Sequence, residues 1–300
     1  MGIYVEILVR APMDDLWART QDPALHERWD LRFSRITYLP RASESEPQRF
    51  RYETRIGFGI VVAGDGESVG ERSREDGSRT SALRFASASP LSLIRQGSGY
   101  WKYVPDGDAV RFLTWYDYET RWGLAGRLLD RAAFRPLMGW ATAWSFDRLR
   151  AWLERGAEPA AAARQAVVHA TARLALAAIL AWQGLVPKLL GPHADELAMV
   201  AAAGIAPAAA PSIVTALGVA ELLAAALLLA TWRRPWLPLL VLVLMPLVTL
   251  GVAVTAPAHL GAAFNPVALN LAVAALAVVD LVAGRALPTA TNCRRRPPRP

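Results

Sequence analysis

Glu221 is the residue whose setting most demands a chemical explanation. It is the one charge in the run from Pro211 to Trp232, and an ionised side chain in the middle of a membrane-spanning helix costs about 3 kcal/mol even on lenient scales. Such a carboxyl must face protein, either neutral or paired. It then serves as a proton, ion or headgroup site, or as a buried pair that locks a bundle. Arg173, inside an earlier apolar run, and Asp280, near the end of the last one, are its candidate partners in one network. Asn265 and Asn270 add amides suited to hydrogen bonds between helices, which stabilise membrane packing modestly. These five residues form the candidate intramembrane polar site.

The other reactive side chains form no constellation. His26, His169, His193 and His259 are scattered, with neither HxxxH nor HExxH spacing, so no metal site is expected. Cys293 is the single cysteine, which excludes a disulfide framework and any cysteine-based zinc or iron–sulfur centre. Gly64-Asp65-Gly66-Glu67-Ser68-Val69-Gly70 is glycine-rich but no Gly-Lys-Ser/Thr follows, so it reads as a hairpin or bulge rather than a phosphate loop. The acidic pair Asp14-Asp15 sits at an exposed helix start. No catalytic residue and no cofactor follow from these patterns.

The elements that must position these groups differ between the two halves. Mean hydropathy is +0.22 although 20% of residues are charged, so the apolar excess is concentrated. It lies after residue 165. Trp236 to Ala256 and Phe264 to Val279 carry no charge, Pro211 to Trp232 carries Glu221, and Ala166 to Pro187 carries Arg173. A bilayer core of about 30 Å needs about 20 helical residues, and only helices pair every backbone amide within such a run. Four spans are therefore expected.

Arg164, Arg233, Arg234, Arg285, Arg294, Arg295, Arg296 and Arg299 all flank the same ends of these spans. The positive-inside rule makes that side the cytoplasm, with both termini there in the cell membrane. Positive charge that flanks apolar segments does not make a nucleic-acid face, so no nucleic acid is expected as a partner.

The first half alternates with period two. Ile3, Val5, Ile7 and Val9 form one strand, and Pro12 opens a short helix with Leu16 and Trp17. A turn of helix follows at Ala24 to Trp29. Further strands are read around Phe50 and Tyr52, Leu83 and Phe85, Tyr100 to Val104, and Val110 to Tyr118. Gly64-Asp65-Gly66, Asp76-Gly77 and Pro105-Asp106-Gly107 punctuate them. A long helix from about Gly123 to Glu154 closes the half, bent at Pro136.

This order of elements, with the opening YVEILVRAPMDDLWARTQDPALHERWD, resembles the START/SRPBCC superfamily, which includes polyketide cyclase-like proteins. The resemblance implies a helix-grip fold in which a curved sheet wraps the long helix around an apolar cavity. Phe50, Tyr52, Tyr100, Phe112, Tyr116, Trp140 and Trp144 are the candidate lining residues, each of them equally readable as ordinary core.

The second half resembles the DoxX-like proteins. The residues that carry the likeness are Trp182-Gln183-Gly184-Leu185-Val186-Pro187-Lys188-Leu189-Leu190, then Glu196, Met199 and Glu221, then Phe264-Asn265-Pro266-Val267 with Asn270. Some relatives are subunits of membrane oxidoreductases acting on thiosulfate and quinone. No redox ligand set is present to carry that activity over.

The expected fold class is therefore an α+β helix-grip domain followed by an all-α four-helix transmembrane bundle. Residues 1–155 form the soluble domain, 156–164 a linker, 165–285 the membrane domain and 286–300 a disordered basic tail. Arg127, Arg131, Arg135 and Arg148 are expected near anionic lipid. The expected function is binding of a lipid or apolar small molecule by a membrane-anchored protein. Alternatives are a cyclase-like enzyme, an oxidoreductase-associated subunit, or a scaffold with partners in a membrane complex. An enzyme would need a polar pair converging in the cavity.

Overall fold

A computed structural model of the chain describes residues 2–43, 46–263 and 265–298; Phe264 and Arg299 lie outside the described residues. The chain divides into two compact units. One runs to Ala162 and includes the C-terminal segment from Pro288, and the other is Ala163–Leu287.

In the first unit β1 (Ile3–Val9) leads into α1 (Met13–Gln21) and α2 (Pro23–Trp29). Asp22 starts α2 because its carboxylate accepts from the free N–H groups of Ala24 (2.8 Å) and Leu25 (3.2 Å). Then come β2 (Arg35–Tyr38), β3 (Arg49–Gly57), β4 (Ile60–Ser73), β5 (Arg79–Ala86), β6 (Ile94–Asp106) and β7 (Ala109–Thr120). Among the described residues they form one antiparallel sheet in the order β1-β7-β6-β5-β4-β3-β2.

Ile7, Phe112 and Tyr103 stand opposite one another across β1, β7 and β6, so their side chains share a face. Phe112 stacks on Tyr103 (4.9 Å between centroids) and on Phe146 (4.3 Å) of the helix that fills the concave side. Each fully buried ring of this kind contributes about 2–3 kcal/mol. That helix is α3 (Gly123–Leu129) and α4 (Arg135–Arg155), joined by a π-helical turn at Asp130–Phe134. The bend expected at Pro136 is this wide turn. Proline has no N–H for the carbonyl one turn back, and the backbone loosens just before it.

In the second unit α5 (Pro159–Gly184) runs on into a π-helical stretch, Leu185–Leu190. Next are the short α6 (Ala194–Ala202), then α7 (Ala210–Ala230), α8 (Trp236–Thr255) and α9 (Pro266–Ala283). The four long segments, Pro159–Leu190 and α7 to α9, are each long and apolar enough to cross a membrane. Leu176, Leu228, Leu237, Val241, Val273 and Ala277 form their common core. Leu223, Leu250 and Leu271 instead point outward, 58%, 62% and 69% exposed. That apolar exterior suits hydrocarbon and not water.

The C-terminal segment departs from the expected disordered tail. Thr289 donates its N–H to Asp147 Oδ2 (2.7 Å), the Asn292 amide donates to the same oxygen (3.0 Å), and the Cys293 thiol donates to the Ala143 carbonyl (3.2 Å). Arg294 and Glu6 exchange both backbone hydrogen bonds at 2.9 Å, extending the sheet past its β1 edge. An open edge strand and a buried carboxylate on α4 supply partners that composition does not reveal.

Candidate functional site

The concave face of the sheet is filled at one side and open at the other. Near β1 the interior is dry core: Val5, Phe112 and Tyr103 are fully buried. Towards β3, β4 and β5 the inward-facing Phe50, Thr54, Ser68, Leu83 and Phe85 keep residual exposure, as do Phe33, Arg32 and His26 opposite them. The rings of Phe50 and Phe85 lie against Gly66 and Gly97 of the adjoining strands, where any side chain would collide with them. The result is a half-open aromatic cleft.

The candidate lining residues divide accordingly. Tyr52 and Phe50 border the open side, whereas Phe112, Tyr116 and Trp144 are packed in the core, Tyr116 with a hydrogen bond to Thr142 (2.9 Å). Trp140 is 42% exposed on α4. Tyr100 points to the opposite face of the sheet, where it stacks on Trp115. With aromatics at both Tyr100 and Trp101, alternation alone leaves the facing ambiguous, and the register selects Trp101 for the interior.

That opposite face carries a groove of about 840 Å³ crossing β3 to β7, walled by Arg49, Asp65, Glu67, Arg84, Asp117 and Glu119. It is charged on both sides, and Phe50, Phe85 and Tyr118 also line it. Arg135 and Arg148 do not offer free charge to lipid. Arg135 bridges Asp130 (2.7 Å) and Asp117 (2.9 Å), and Arg148 is buried, donating to the Arg28 carbonyl (2.6 Å). Arg127 and Arg131 are exposed.

A polar pair does converge on the cleft. His26 Nε2 donates to Asp30 Oδ2 (3.1 Å), and Arg32 grips the same carboxylate through Nε (2.9 Å) and Nη2 (2.6 Å). Burial alone would raise the Asp30 carboxyl, but the Arg32 guanidinium and the His26 hydrogen bond hold it well below the usual carboxylate range. Burial lowers the His26 imidazole below its ordinary value, against the pull of Asp30. The i, i+4 spacing of His26 and Asp30 on α2 was the available sequence signal.

In the membrane-spanning unit the five candidate polar residues do not form one network. Arg173 clasps Asp280 with Nε to Oδ1 at 3.0 Å and Nη2 to Oδ2 at 2.7 Å, both side chains buried. Its Nη1 also donates to the Thr231 carbonyl (3.0 Å) and its Nη2 to that of Arg234 (3.2 Å), at the C-terminal end of α7. Cations are favoured at such helix ends. His169, one turn before Arg173, joins Asp280 Oδ1 (3.0 Å) to the Trp232 carbonyl (3.2 Å).

Glu221 belongs elsewhere. Its partner is Lys188, fifteen residues and about 20 Å along the helix from Arg173, with Nζ 3.1 Å from Glu221 Oε2 and 3.2 Å from Glu196 Oε1. The contact needs the two helices to touch, and Gly184 and Gly218 permit it: a Cβ on either would meet the other's carbonyl oxygen at 2.6–2.8 Å. Lys188 reads from sequence as a loop residue, but the π-helical stretch carries it back into the bundle. Asn270 does join two helices, donating to Thr249 Oγ1 (3.0 Å) on α8, while Asn265 caps α9 instead, accepting from Ala268 N–H (2.9 Å).

The DoxX-like family matches residues 177–278. YndG, a membrane protein of Bacillus subtilis, is 53% identical over 168 residues, which is 56% of this chain and 62% of YndG, so the match spans less than two thirds of that relative. Among solved structures, a STAR-related lipid transfer protein fragment from Xanthomonas axonopodis aligns with 50% of this chain and 84% of its own at 17% identity, with a TM-score of 0.39. The ZhuI aromatase/cyclase from Streptomyces sp. R1128 aligns with 52% and 98% at 13% identity, again with a TM-score of 0.39. The chain is thus a membrane protein, DoxX-like over residues 177–278, whose N-terminal half is a helix-grip-like seven-stranded antiparallel sheet with a long helix against it.

Proposed function

We propose that this protein binds a lipophilic small molecule or lipid in its N-terminal cleft while its four apolar helices hold it in the membrane. The observation that carries the reading is the half-open cleft. Inward-facing apolar side chains on β3 to β5 stay partly uncovered although the same sheet face is sealed beside β1. Exposed apolar surface on an inward face is costly in water and is stabilised by an apolar occupant.

Lipidomic mass spectrometry of the full chain purified in mild detergent tests this. A near-stoichiometric apolar compound is expected, and it is lost in Leu83→Trp, which fills the cleft. A wild-type protein with less than about a tenth of an equivalent bound, and no uptake of an added fluorescent fatty acid, would overturn the reading.

On the same reading both the N-terminal unit and the C-terminal segment face the cytoplasm. The arginines at Arg164, Arg233, Arg234, Arg285 and Arg294 to Arg296 support that side. The packing of the C-terminal segment on the first unit supports both lying on one side. Protease protection in sealed, oriented vesicles checks it.

A further inference from the structure

The polar wall of the cleft is built by α2 and the turn after it. Asp30 is fixed from several directions at once: it accepts from the Arg32 backbone N–H (3.0 Å), from both arms of the Arg32 guanidinium, and from His26 Nε2. A carboxylate only accepts, so Nε2 carries the ring proton. Nδ1 of the neutral imidazole is therefore an acceptor, and no described residue hydrogen-bonds to it. The ring cannot turn away. It stacks on Trp29 (5.0 Å between centroids) and meets the edges of Trp101 (4.9 Å) and Phe33 (5.2 Å). Phe33 in turn abuts Tyr52 (5.7 Å), and Thr54 donates to the Arg32 carbonyl (2.5 Å), which ties this wall to β3 at the open side.

We propose that His26, oriented by Asp30, is the polar recognition group of the cleft and accepts a hydrogen bond from the hydroxyl of an otherwise apolar, aromatic or polycyclic ligand. This deepens the binding reading and rests on it. Arg32 is already matched by Asp30, so an ionised headgroup gains no free cation there, and a pure hydrocarbon leaves Nδ1 unpaired. A buried acceptor without a donor disfavours ligands that cannot supply one. A base held by a carboxylate at its far nitrogen is also the arrangement that orients an imidazole towards a bound O–H.

The test uses the full chain in detergent, 15N-labelled at histidine, with 1-naphthol and 1-methoxynaphthalene as probes. The two share a ring system, and only naphthol carries the O–H. Binding is read by tryptophan quenching, and the His26 resonances are identified by their loss in His26→Phe. Naphthol is expected to shift the Nδ1 signal and to bind about tenfold more tightly than the ether. His26→Phe, which preserves the stack on Trp29, binds both alike.

If His26→Phe loses its near-ultraviolet dichroism, His26→Leu takes its place, since it fills the site without offering an acceptor and leaves Asp30 paired with Arg32. Equal binding of the two probes to wild-type protein, or discrimination that survives in the variant, overturns the assignment while leaving the cleft intact. Failure of both probes to bind a folded protein overturns the cleft itself, and this proposal with it.

Discussion

Arg173 and Asp280 stand 107 residues apart in sequence and meet in a two-pronged ion pair, 3.0 and 2.7 Å, with both side chains buried. The pair ties α5 to α9, and the remaining guanidinium N–H groups cap the end of α7, so three helices share one clasp. Removing one partner strands a buried charge, which costs about 3–5 kcal/mol. Asp280→Asn and Arg173→Ala are each expected to lower the unfolding midpoint in detergent steeply. The double change Arg173→Met with Asp280→Leu should recover much of the loss, because no charge is left unpaired. A double variant as unstable as the worse single one would show that the capped carbonyls, not the ion pair, dominate.

The cluster at Lys188 predicts an asymmetry. Glu221→Gln leaves Lys188 paired with Glu196, so the loss should be near 1 kcal/mol. Lys188→Met leaves two carboxylates facing each other without a cation, and the loss should be several-fold larger. Thermal unfolding of the two variants side by side decides this. Equal losses would mean that Glu196 does not share the lysine.

The first unit should lose stability in two steps as pH falls. His26 is lowered in the folded state by burial, so below its unfolded value of about 6.5 protons bind the unfolded chain preferentially and stability declines. Asp30 is held low by Arg32, so its contribution is complete above about pH 3.9 and disappears as pH drops through the folded value. Tryptophan-detected melting between pH 8 and pH 4 is expected to decline from about 6.5 downward, and His26→Phe should flatten that first decline. An unchanged slope in the variant would assign it to other groups.

Length, hydropathy and alternation made the large features legible. The four spans, the strand at Ile3–Val9 and the long helix after Gly123 all follow from periodicity that burial later reproduces. Partnerships were harder. Glu221 was recognisable as a group needing a counter-charge, but Lys188 is in reach of it only because α5 and α7 cross where Gly184 and Gly218 allow it, and Arg173 meets Asp280 across a different helix pair. Tyr100 shows the same limit within one strand: either of two adjacent aromatics satisfies the pattern, and only the register with Trp115 fixes its face. His169 was legible in principle, one helical turn from Arg173 on the same side.

The C-terminal segment offers a test that needs no ligand. Cys293 is 9% exposed, donates to the Ala143 carbonyl, and its thiol is pushed up to about 12 by burial and by Asp147. The thiolate is the reactive species, so at pH 7.5 a maleimide should label intact protein far more slowly than the same chain in denaturant. Asp147→Asn weakens the anchor for Thr289 and Asn292, and Glu6 still holds Arg294 through two backbone bonds and an exposed ion pair at 4.0 Å. That variant should label about tenfold faster while the sheet keeps its circular dichroism, because the segment lifts without the domain unfolding. If Cys293 instead reacts at the rate of a free thiol in wild-type protein, the segment is not docked on α4 in solution. The tie it makes between the two ends of the chain would then fall with it.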